Sequence, residues 1–259
     1  MKLRLTLPRA GLLVIVLLQG CSYTSERQHP EFDTSRPFIE RVAILPASVS
    51  IQLKTFTGED EHLEDQEETV RQYLDKQARS VLKKNGYGVC DTHFEELAAT
   101  DPELAFQIEQ LKNAYDAASK DLYSGETVAA DDYKRFRVTV GPIVNRFAEL
   151  ADADALLFME FAGIVKSEGQ MRKEIAANIL LGALTGSYAH PISEASAIEV
   201  ALLDANTGEV LWTNINSAAS VSGDVLWDAL AKIPVKTPRA SEPAAAPEPE
   251  AGEQATTRE

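Results

Sequence analysis

The stretch that decides the fold is Ala155-Leu156-Leu157-Phe158-Met159-Glu160-Phe161-Ala162. Seven of its eight residues are apolar, and Glu160 is its one polar residue. A strand with one wet face alternates apolar and polar residues, whereas a strand covered on both faces is apolar at nearly every position. The stretch therefore predicts the central, covered strand of a sheet.

Two shorter stretches predict strands earlier in the chain. Residues 41–46 read Arg-Val-Ala-Ile-Leu-Pro, an apolar run that ends at a proline. This pattern is typical of a buried strand whose chain then leaves the sheet. Residues 87–90 predict a second strand after a helical stretch.

A β-hairpin is the clearest local pattern on the carboxyl-terminal side. Residues 196–202 alternate in character, residues 204–208 read Asp-Ala-Asn-Thr-Gly, and residues 210–212 begin a return strand. The Asp-x-Asn-x-Gly spacing also occurs at the start of calcium-binding loops. Because the distal glutamate of such a loop is missing and the segment lies between strands, we predict a turn.

Most of the remaining chain between the strands shows helical spacing of apolar residues. One helix is predicted at residues 70–84, closed by Asn85-Gly86, and a short one after the Thr92-x-x-Glu95 capping box. A longer helix is predicted from Asp101-Pro102 to about 122. Two more are predicted at 142–151, with Ile143, Val144, Phe147 and Leu150 on one face, and at 224–232, with Trp227 and Leu230 against the sheet. The predicted fold is mixed α/β, with a single mixed sheet of about four to five strands that ends in a hairpin and a short helix. One domain is predicted over residues 38–233.

The first 20 residues have the pattern of a secretion signal. Three basic residues precede a short apolar run, which is far below the roughly 20 residues of a membrane-spanning helix. Leu18-Gln19-Gly20-Cys21 then resembles the lipobox of bacterial lipoproteins, which implies cleavage after Gly20 and acylation of Cys21. The resemblance also implies sorting to the outer membrane, because Ser22 rather than aspartate follows the cysteine. The alternative is an ordinary cleaved signal that leaves Cys21 as a free thiol.

Both ends of the mature chain are predicted to be linkers. Residues 21–37 are polar and without apolar periodicity, which predicts a short tether that keeps the domain close to its membrane. Residues 234–259 are predicted to be a disordered tail rich in proline, alanine and glutamate. With Cys21 acylated, Cys90 is the only other cysteine, so no intrachain disulfide is expected.

The mature chain is strongly acidic. Removal of the signal leaves 22 basic against 40 acidic residues, a formal net charge of −18. Such a surface repels nucleic acid, so DNA and RNA are not expected as partners.

No motif in the sequence points to catalysis or to a cofactor. The four histidines are scattered, and glycine-rich phosphate loops are missing. The acids of residues 59–68 could be a cation site, but negative charge is also favoured just before a helix, which is the interpretation that we prefer. Cys90 and His93 are three residues apart across a strand end and a helix start, a spacing that no known nucleophilic pair requires. We therefore predict a non-enzymatic protein without metal or cofactor.

One segment, residues 174–189 with the sequence EIAANILLGALTGSYA, is not fully explained by burial in the core. As a helix, the segment is apolar nearly all round, and it is too short to span a bilayer. A buried helix or crossover is one interpretation. A subunit interface or a surface against the membrane is the other, formed by Ile175, Ile179, Leu180 and Leu184.

Three pieces of the chain carry a resemblance to known envelope proteins. They are Arg-Val-Ala-Ile-Leu-Pro at 41–46, Ala-Asp-Ala-Leu-Leu at 153–157, and Thr-Gly-Glu-Val-Leu-Trp at 207–212. Over residues 40–230 the chain resembles the periplasmic α/β domain shared by the TolB amino-terminal domain, the curli secretion lipoprotein and the lipoprotein activator of a penicillin-binding protein. The resemblance implies a non-enzymatic protein that binds partners or assembles into rings, and no catalytic residue carries over.

These observations together predict an outer-membrane lipoprotein that faces the periplasm. It is held by its amino-terminal lipid and acts through contacts with envelope proteins in envelope assembly or export, with a homo-oligomeric ring as the more specific version. Two alternatives stay open, which are an activator of a peptidoglycan synthase and a periplasmic hydrolase whose site is assembled from distant residues.

Overall fold

The computed structural model describes residues 23–123, 136–174, 193–221 and 223–237. Within these ranges one mixed sheet carries helices on both faces. The predicted mixed α/β class is confirmed. The prediction of about four to five strands is wrong, because the sheet has eight.

The strands are β1 (Tyr23–Gln28), β2 (Arg41–Ile44), β3 (Ser48–Lys54), β4 (Asp60–His62), β5 (Gly88–Val89), β6 (Ala155–Lys166), β7 (Glu194–Asp204) and β8 (Val210–Ala218). Their order across the sheet is β1-β8-β7-β6-β2-β5. Strand β3 pairs with the same edge of β6 as β2 does, nearer the carboxyl end of β6, and β4 pairs with β3. Strands β2, β3 and β5 belong to the parallel part of the sheet. The pairs β1 with β8, β3 with β4, β6 with β7 and β7 with β8 are antiparallel.

The helices are α1 (Phe32–Ser35), a 3₁₀ turn (Arg36–Phe38), α2 (Glu64–Lys84), α3 (Phe94–Thr100), α4 (Pro102–Tyr123), α5 (Val144–Ala151), α6 with described residues 168–174, and α7 (Gly223–Leu230). Residues of α2 and α7 belong to the apolar core on one face of the sheet. Residues of α3, α4 and α5 belong to the core on the other face.

The central strand lies where its composition predicts. Leu157 and Met159 of β6 face the α2 side, while Leu156 and Phe158 face the α4 side, and all four are buried. An apolar residue is therefore required at successive positions of this strand, because both of its faces are covered.

The predicted helix ends are partly confirmed. The Asp101 carboxylate accepts hydrogen bonds from the N–H groups of Glu103 at 3.0 Å and Leu104 at 3.2 Å, so it caps α4 as predicted. The capping box at Thr92 is wrong, because α3 starts at Phe94 and has no side-chain cap. Trp227 is also not packed on the sheet, since it is 40% exposed, and the buried tryptophan is Trp212.

The predicted tether contains a strand instead. Residues Tyr23–Gln28 pair along their whole length with β8, and the chain continues into Phe32, which is fully buried. The prediction of a tether over these residues is wrong because an edge strand is held by backbone hydrogen bonds, which polar residues form as readily as apolar ones. One residue, Ser22, separates Cys21 from this strand.

The other end of the domain also extends past its predicted boundary. The Lys236 N–H donates to the Asn85 carbonyl oxygen at 2.9 Å, which holds residues 234–237 against the end of α2. The rest of the predicted tail, residues 238–259, lies outside the described residues. Among the described helices, none combines the length and the apolar character that crossing a membrane requires.

Candidate functional site

Strands β2 and β3 form one strand that is interrupted by a bulge. Ile44 pairs with Leu157, and Ser48 pairs with Glu160, so three residues of one strand oppose two of β6. The middle residue of the three is Pro46, which has no N–H to give to a sheet ladder and so fits at a bulge.

A cleft opens along the outer edge of this bulge, and we call it the bulge cleft. Its two compartments have volumes of about 210 Å³ on the α2 side and about 460 Å³ on the α4 side. Both share the floor Leu45-Pro46-Ala47 and the side chains of Arg71 and Glu95. The bulge cleft therefore wraps around one edge of the sheet, between α2 and α4.

The two ends of the bulge cleft are closed by specific contacts. At one end the Cys90 N–H donates to the Val42 carbonyl at 3.0 Å, and the Arg79 guanidinium donates to the Cys90 carbonyl at 3.1 Å. At the other end the Ile51 N–H donates to the Glu67 carboxylate at 2.8 Å. This hydrogen bond is the largest contribution that lowers the pKa of Glu67, so the carboxylate stays charged. Between these contacts no strand of the described residues covers the edge.

The two compartments differ in their walls. The α4 compartment is lined by the apolar side chains of Ile108, Leu111 and Phe158 and also by the charged residues Glu109 and Lys112. The α2 compartment has a mixed lining, in which polar side chains such as Thr92, His93 and Asp75 lie beside the apolar side chains of Phe94 and Met159. The Arg71 guanidinium and the Glu95 carboxylate, 3.8 Å apart, lie at the boundary shared by both.

A second polar cluster lies beneath α4. The Glu199 carboxylate accepts hydrogen bonds from the hydroxyls of Tyr115 at 2.5 Å, Ser119 at 3.0 and 3.1 Å, and Thr213 at 3.3 Å. Burial raises the pKa of Glu199, while these hydroxyls act in the opposite direction. Glu199 stands directly opposite Glu160 across β6 and β7, and burial together with Asp116 raises the pKa of Glu160 as well.

The carboxyl end of β6 brings two distant parts of the chain together. The Lys166 N–H donates to the Ser193 carbonyl at 2.9 Å, and its ammonium donates to the Glu174 carboxylate at 2.8 Å. The segment between Glu174 and Ser193 therefore leaves and re-enters the described structure at one point. This is also the end of the sheet at which β1 begins, because β1 and β7 both run antiparallel to their shared neighbour β8.

The predicted site residues lie outside this geometry. Gly20, Cys21, Ile175, Ile179, Leu180 and Leu184 all fall outside the described residues, so their roles stay predictions. Cys90 is buried, and burial raises the pKa of its thiol, which disfavours the reactive thiolate. Among the residues that the structure describes, no group of three or more histidine, cysteine, aspartate or glutamate side chains is placed to hold a metal ion.

The bulge cleft was not predicted from the sequence. The signal was present, because residues 48–54 alternate as Ser-Val-Ser-Ile-Gln-Leu-Lys directly after Pro46. A proline between two stretches of strand character predicts a bulge as well as the end of a strand. The pairing of both stretches with β6 is needed to decide between a bulge and the end of a strand.

Comparisons with known proteins give partial similarities. No family model matches the sequence, and no curated protein matches it. Among solved structures, the PelC dodecamer from Paraburkholderia phytofirmans is 12% identical, with 85% of this chain and 100% of that chain covered and a TM-score of 0.33. A DUF4136 family protein from Bacteroides thetaiotaomicron is 8% identical, with coverages of 82% and 91% and a TM-score of 0.28. Lipoprotein GNA1162 from Neisseria meningitidis is 12% identical, with coverages of 72% and 90% and a TM-score of 0.29. TM-scores this low assign neither the topology nor the function of this chain.

Proposed function

We propose that this protein is a lipid-anchored, non-catalytic envelope protein that works by protein contact while its folded domain lies directly against the outer membrane. One observation carries the proposal: strand β1 begins two residues after the lipobox cysteine and is paired along its length with β8. A lipid on Cys21 then holds the edge of a rigid sheet rather than the end of a flexible arm. Two residues span at most about 7 Å, so the domain has no freedom to reach away from the bilayer.

The anchor is tested by replacing the lipobox cysteine. In Cys21→Ala neither cleavage at the lipobox nor acylation can occur, so the protein is expected to lose incorporation of radiolabelled palmitate and to keep the mass of residues 1–20. The matched control is Cys90→Ala, which keeps the lipobox and is expected to incorporate palmitate as wild type does. If Cys21→Ala still incorporated palmitate, the proposed anchor would be wrong.

The outer-membrane address is tested at the next residue. In the lipoproteins that the lipobox resembles, aspartate after the cysteine retains the protein in the inner membrane. Ser22→Asp is therefore expected to move the protein from the outer-membrane to the inner-membrane band of a density gradient. Ser22→Thr serves as the control, and an unchanged distribution of Ser22→Asp would count against this sorting.

We also propose that Ile175, Ile179, Leu180 and Leu184 contribute an interface. Support comes from the contacts of Lys166, which place both flanks of their segment at the end of the sheet where β1 begins. An apolar surface at that end lies beside the lipid and beside any neighbouring copy that is anchored in the same membrane.

The native mass of the lipidated protein in mild detergent tests this interface. We expect a discrete homo-oligomer that is reduced to monomer by Leu180→Glu together with Leu184→Glu. The control is Phe106→Glu together with Leu97→Glu, which places two negative charges on exposed positions of α4 and α3. A wild-type protein that is monomeric in detergent would overturn the subunit interface and leave the membrane as the surface to test by liposome binding.

A further inference from the structure

We propose that the bulge cleft binds an extended segment of a partner protein, which adds as a short strand to the open sheet edge between β5 and β4. The inference goes beyond the proposed anchoring and interface, because it names a second surface and the conformation of what binds there. It rests on the directions of backbone groups in β2 and β3 and on the contrast between the two walls.

The open edge presents backbone groups of Ile44 and Val49. The Val42 carbonyl points away from β6, because it accepts from Cys90, and the Ile51 N–H and carbonyl point away as well, because they bond to Glu67 and Leu63. Directions alternate along a strand, so Ile44 and Val49 also direct their N–H and carbonyl groups away from β6. Neither residue has an outward backbone hydrogen bond to another described residue.

These outward groups need a partner. Ile44 is 4% exposed and Val49 is 9% exposed, so their backbones lie on the floor of the bulge cleft rather than in open solvent. Backbone donors and acceptors at such positions are satisfied by water or by another chain. A strand that is added at this edge would displace water from the bulge cleft. It would pair with the N–H and carbonyl groups of Ile44 and Val49, which are four groups that already point toward it.

The size of the opening sets the length of the added segment. Ile44 lies opposite Leu157 and Val49 lies opposite Phe161, so the edge groups span four residue steps of β6. At 3.3 Å per residue this is about 13 Å, the length of a four- to five-residue strand. The Arg79 and Glu67 contacts close the two ends, so a longer flat strand is excluded from this edge.

The walls set the sequence pattern of the segment. Successive side chains of an added strand point to opposite faces of the sheet. One set would enter the α4 compartment beside Ile108, Leu111 and Phe158, and the other would face the α2 compartment, whose lining combines His93 and Thr92 with the apolar Phe94. The expected ligand is therefore a segment with an apolar residue at every second position, while the mixed lining of the α2 compartment accepts polar or apolar residues at the positions between.

The position in the molecule suits a partner in the envelope. The bulge cleft is on the opposite edge of the sheet from β1, four strand spacings away through β8, β7, β6 and β3. At about 4.8 Å per spacing, about 19 Å separates it from the anchored edge. A partner can therefore approach it while the lipid stays in the membrane.

Selection of random heptapeptides on phage against the full-length protein in detergent tests the proposal. The most enriched peptides are then synthesised, and hydrogen exchange of residues 43–50 is measured with and without them. We expect enriched peptides with alternating apolar residues, and slower exchange at the amides of Ile44 and Val49. The same peptides with N-methyl groups on alternate backbone nitrogens, placed to remove the groups that pair with the edge, are expected to lose this protection.

A pair of variants of α4 locates the binding. Ile108→Arg places a long charged side chain in the α4 compartment and is expected to weaken peptide binding by about tenfold or more. Phe106→Arg places the same side chain on the exposed face of the same helix and is expected to leave binding unchanged. The proposal is overturned if no peptide is enriched, if enriched peptides leave exchange of residues 43–50 unchanged, or if binding survives either N-methylation or Ile108→Arg.

Discussion

Glu199 shows how a single buried carboxyl group can make stability depend on pH. Because its folded pKa is raised, the folded state holds the proton more tightly than the unfolded state, in which a glutamate has a pKa of about 4.3. The contribution of Glu199 to the free energy of unfolding therefore falls as pH rises from that value through the raised folded pKa, and stays low above it.

Glu199→Gln removes this titration and keeps an oxygen that can accept from Tyr115 and Ser119. We expect the variant to gain stability relative to wild type as pH rises through the same window, as measured by urea unfolding at several pH values. Glu96→Gln on the exposed face of α3 is the control, and its difference from wild type should not follow this course. A difference for Glu199→Gln that is independent of pH would contradict the assignment.

Gly208 occupies a position of the hairpin turn where a residue with a side chain does not fit. Its φ is +72°, and a Cβ there would overlap the backbone of Gly141. Gly58 has a similar φ of +87° but open space around it. We expect Gly58→Ala to cost roughly 1–2 kcal/mol for the left-handed backbone alone, and Gly208→Ala to cost clearly more because of the overlap.

Thermal unfolding of both glycine variants measures the comparison. Equal losses of stability would mean that the chain near Gly141 moves aside without cost. The turn itself was predicted from Asp204 to Gly208, and it is confirmed by the Asp204 carboxylate, which accepts from the N–H groups of Asn206 at 2.9 Å and Thr207 at 2.8 Å.

At the scale of elements, the amino-terminal strand and the helix after it are part of the folded domain, the strand through its pairing with β8 and the helix through a side chain in the core. Phe32 of α1 is fully buried in the core on the α2 side. We expect Phe32→Ala to lower the free energy of unfolding by about 3–5 kcal/mol. In a flexible tether the same substitution would change nothing, so urea unfolding distinguishes the two descriptions. Phe106→Ala, on an exposed position, is expected to stay within about 0.5 kcal/mol of wild type.

The elements that could be predicted from sequence are those that bury side chains. Strand β6, helix α2 and the β7–β8 hairpin all carry apolar patterns of the right period, and each is present in the structure. Strands β1 and β4 could not be predicted, because polar, largely exposed residues form them and their stability comes from backbone pairing with β8 and β3. The bulge cleft depends on how two strands register with a third, and register is not encoded within either strand.

At the scale of the whole molecule, the proposed lipid on Cys21 would fix which end of the domain faces the bilayer, because one residue separates Cys21 from β1. Insertion of a 20-residue Gly/Ser linker between Ser22 and Tyr23 would add a mean reach of about 25 Å. With a fluorophore at Ile164→Cys, near the anchored end, we expect quenching by membrane-embedded quenchers in the native arrangement and a loss of quenching in the linker variant.

The control for this experiment is a fluorophore at Lys84→Cys, both labels being placed in a Cys90→Ala background. Lys84 ends α2 beside Asn85, at the end of the sheet where β2 begins, and is exposed. Its quenching is expected to be weak with or without the linker. Equal quenching at Ile164 in both proteins would show that the domain is not held at the membrane by the length of this connection.

The pairing of β1 with β8 also decides when the molecule can finish folding. The hydroxyl of Thr24 donates to the Asn216 side chain across 192 residues of chain, so the first strand has no partner until the last one is present. Contacts between such distant segments close slowly, because a long loop must be ordered first. If the chain is exported amino terminus first, as we propose, β1 emerges long before its partner strand and the sheet is completed only after Ala218 has emerged, so the domain stays incompletely folded during most of its translocation.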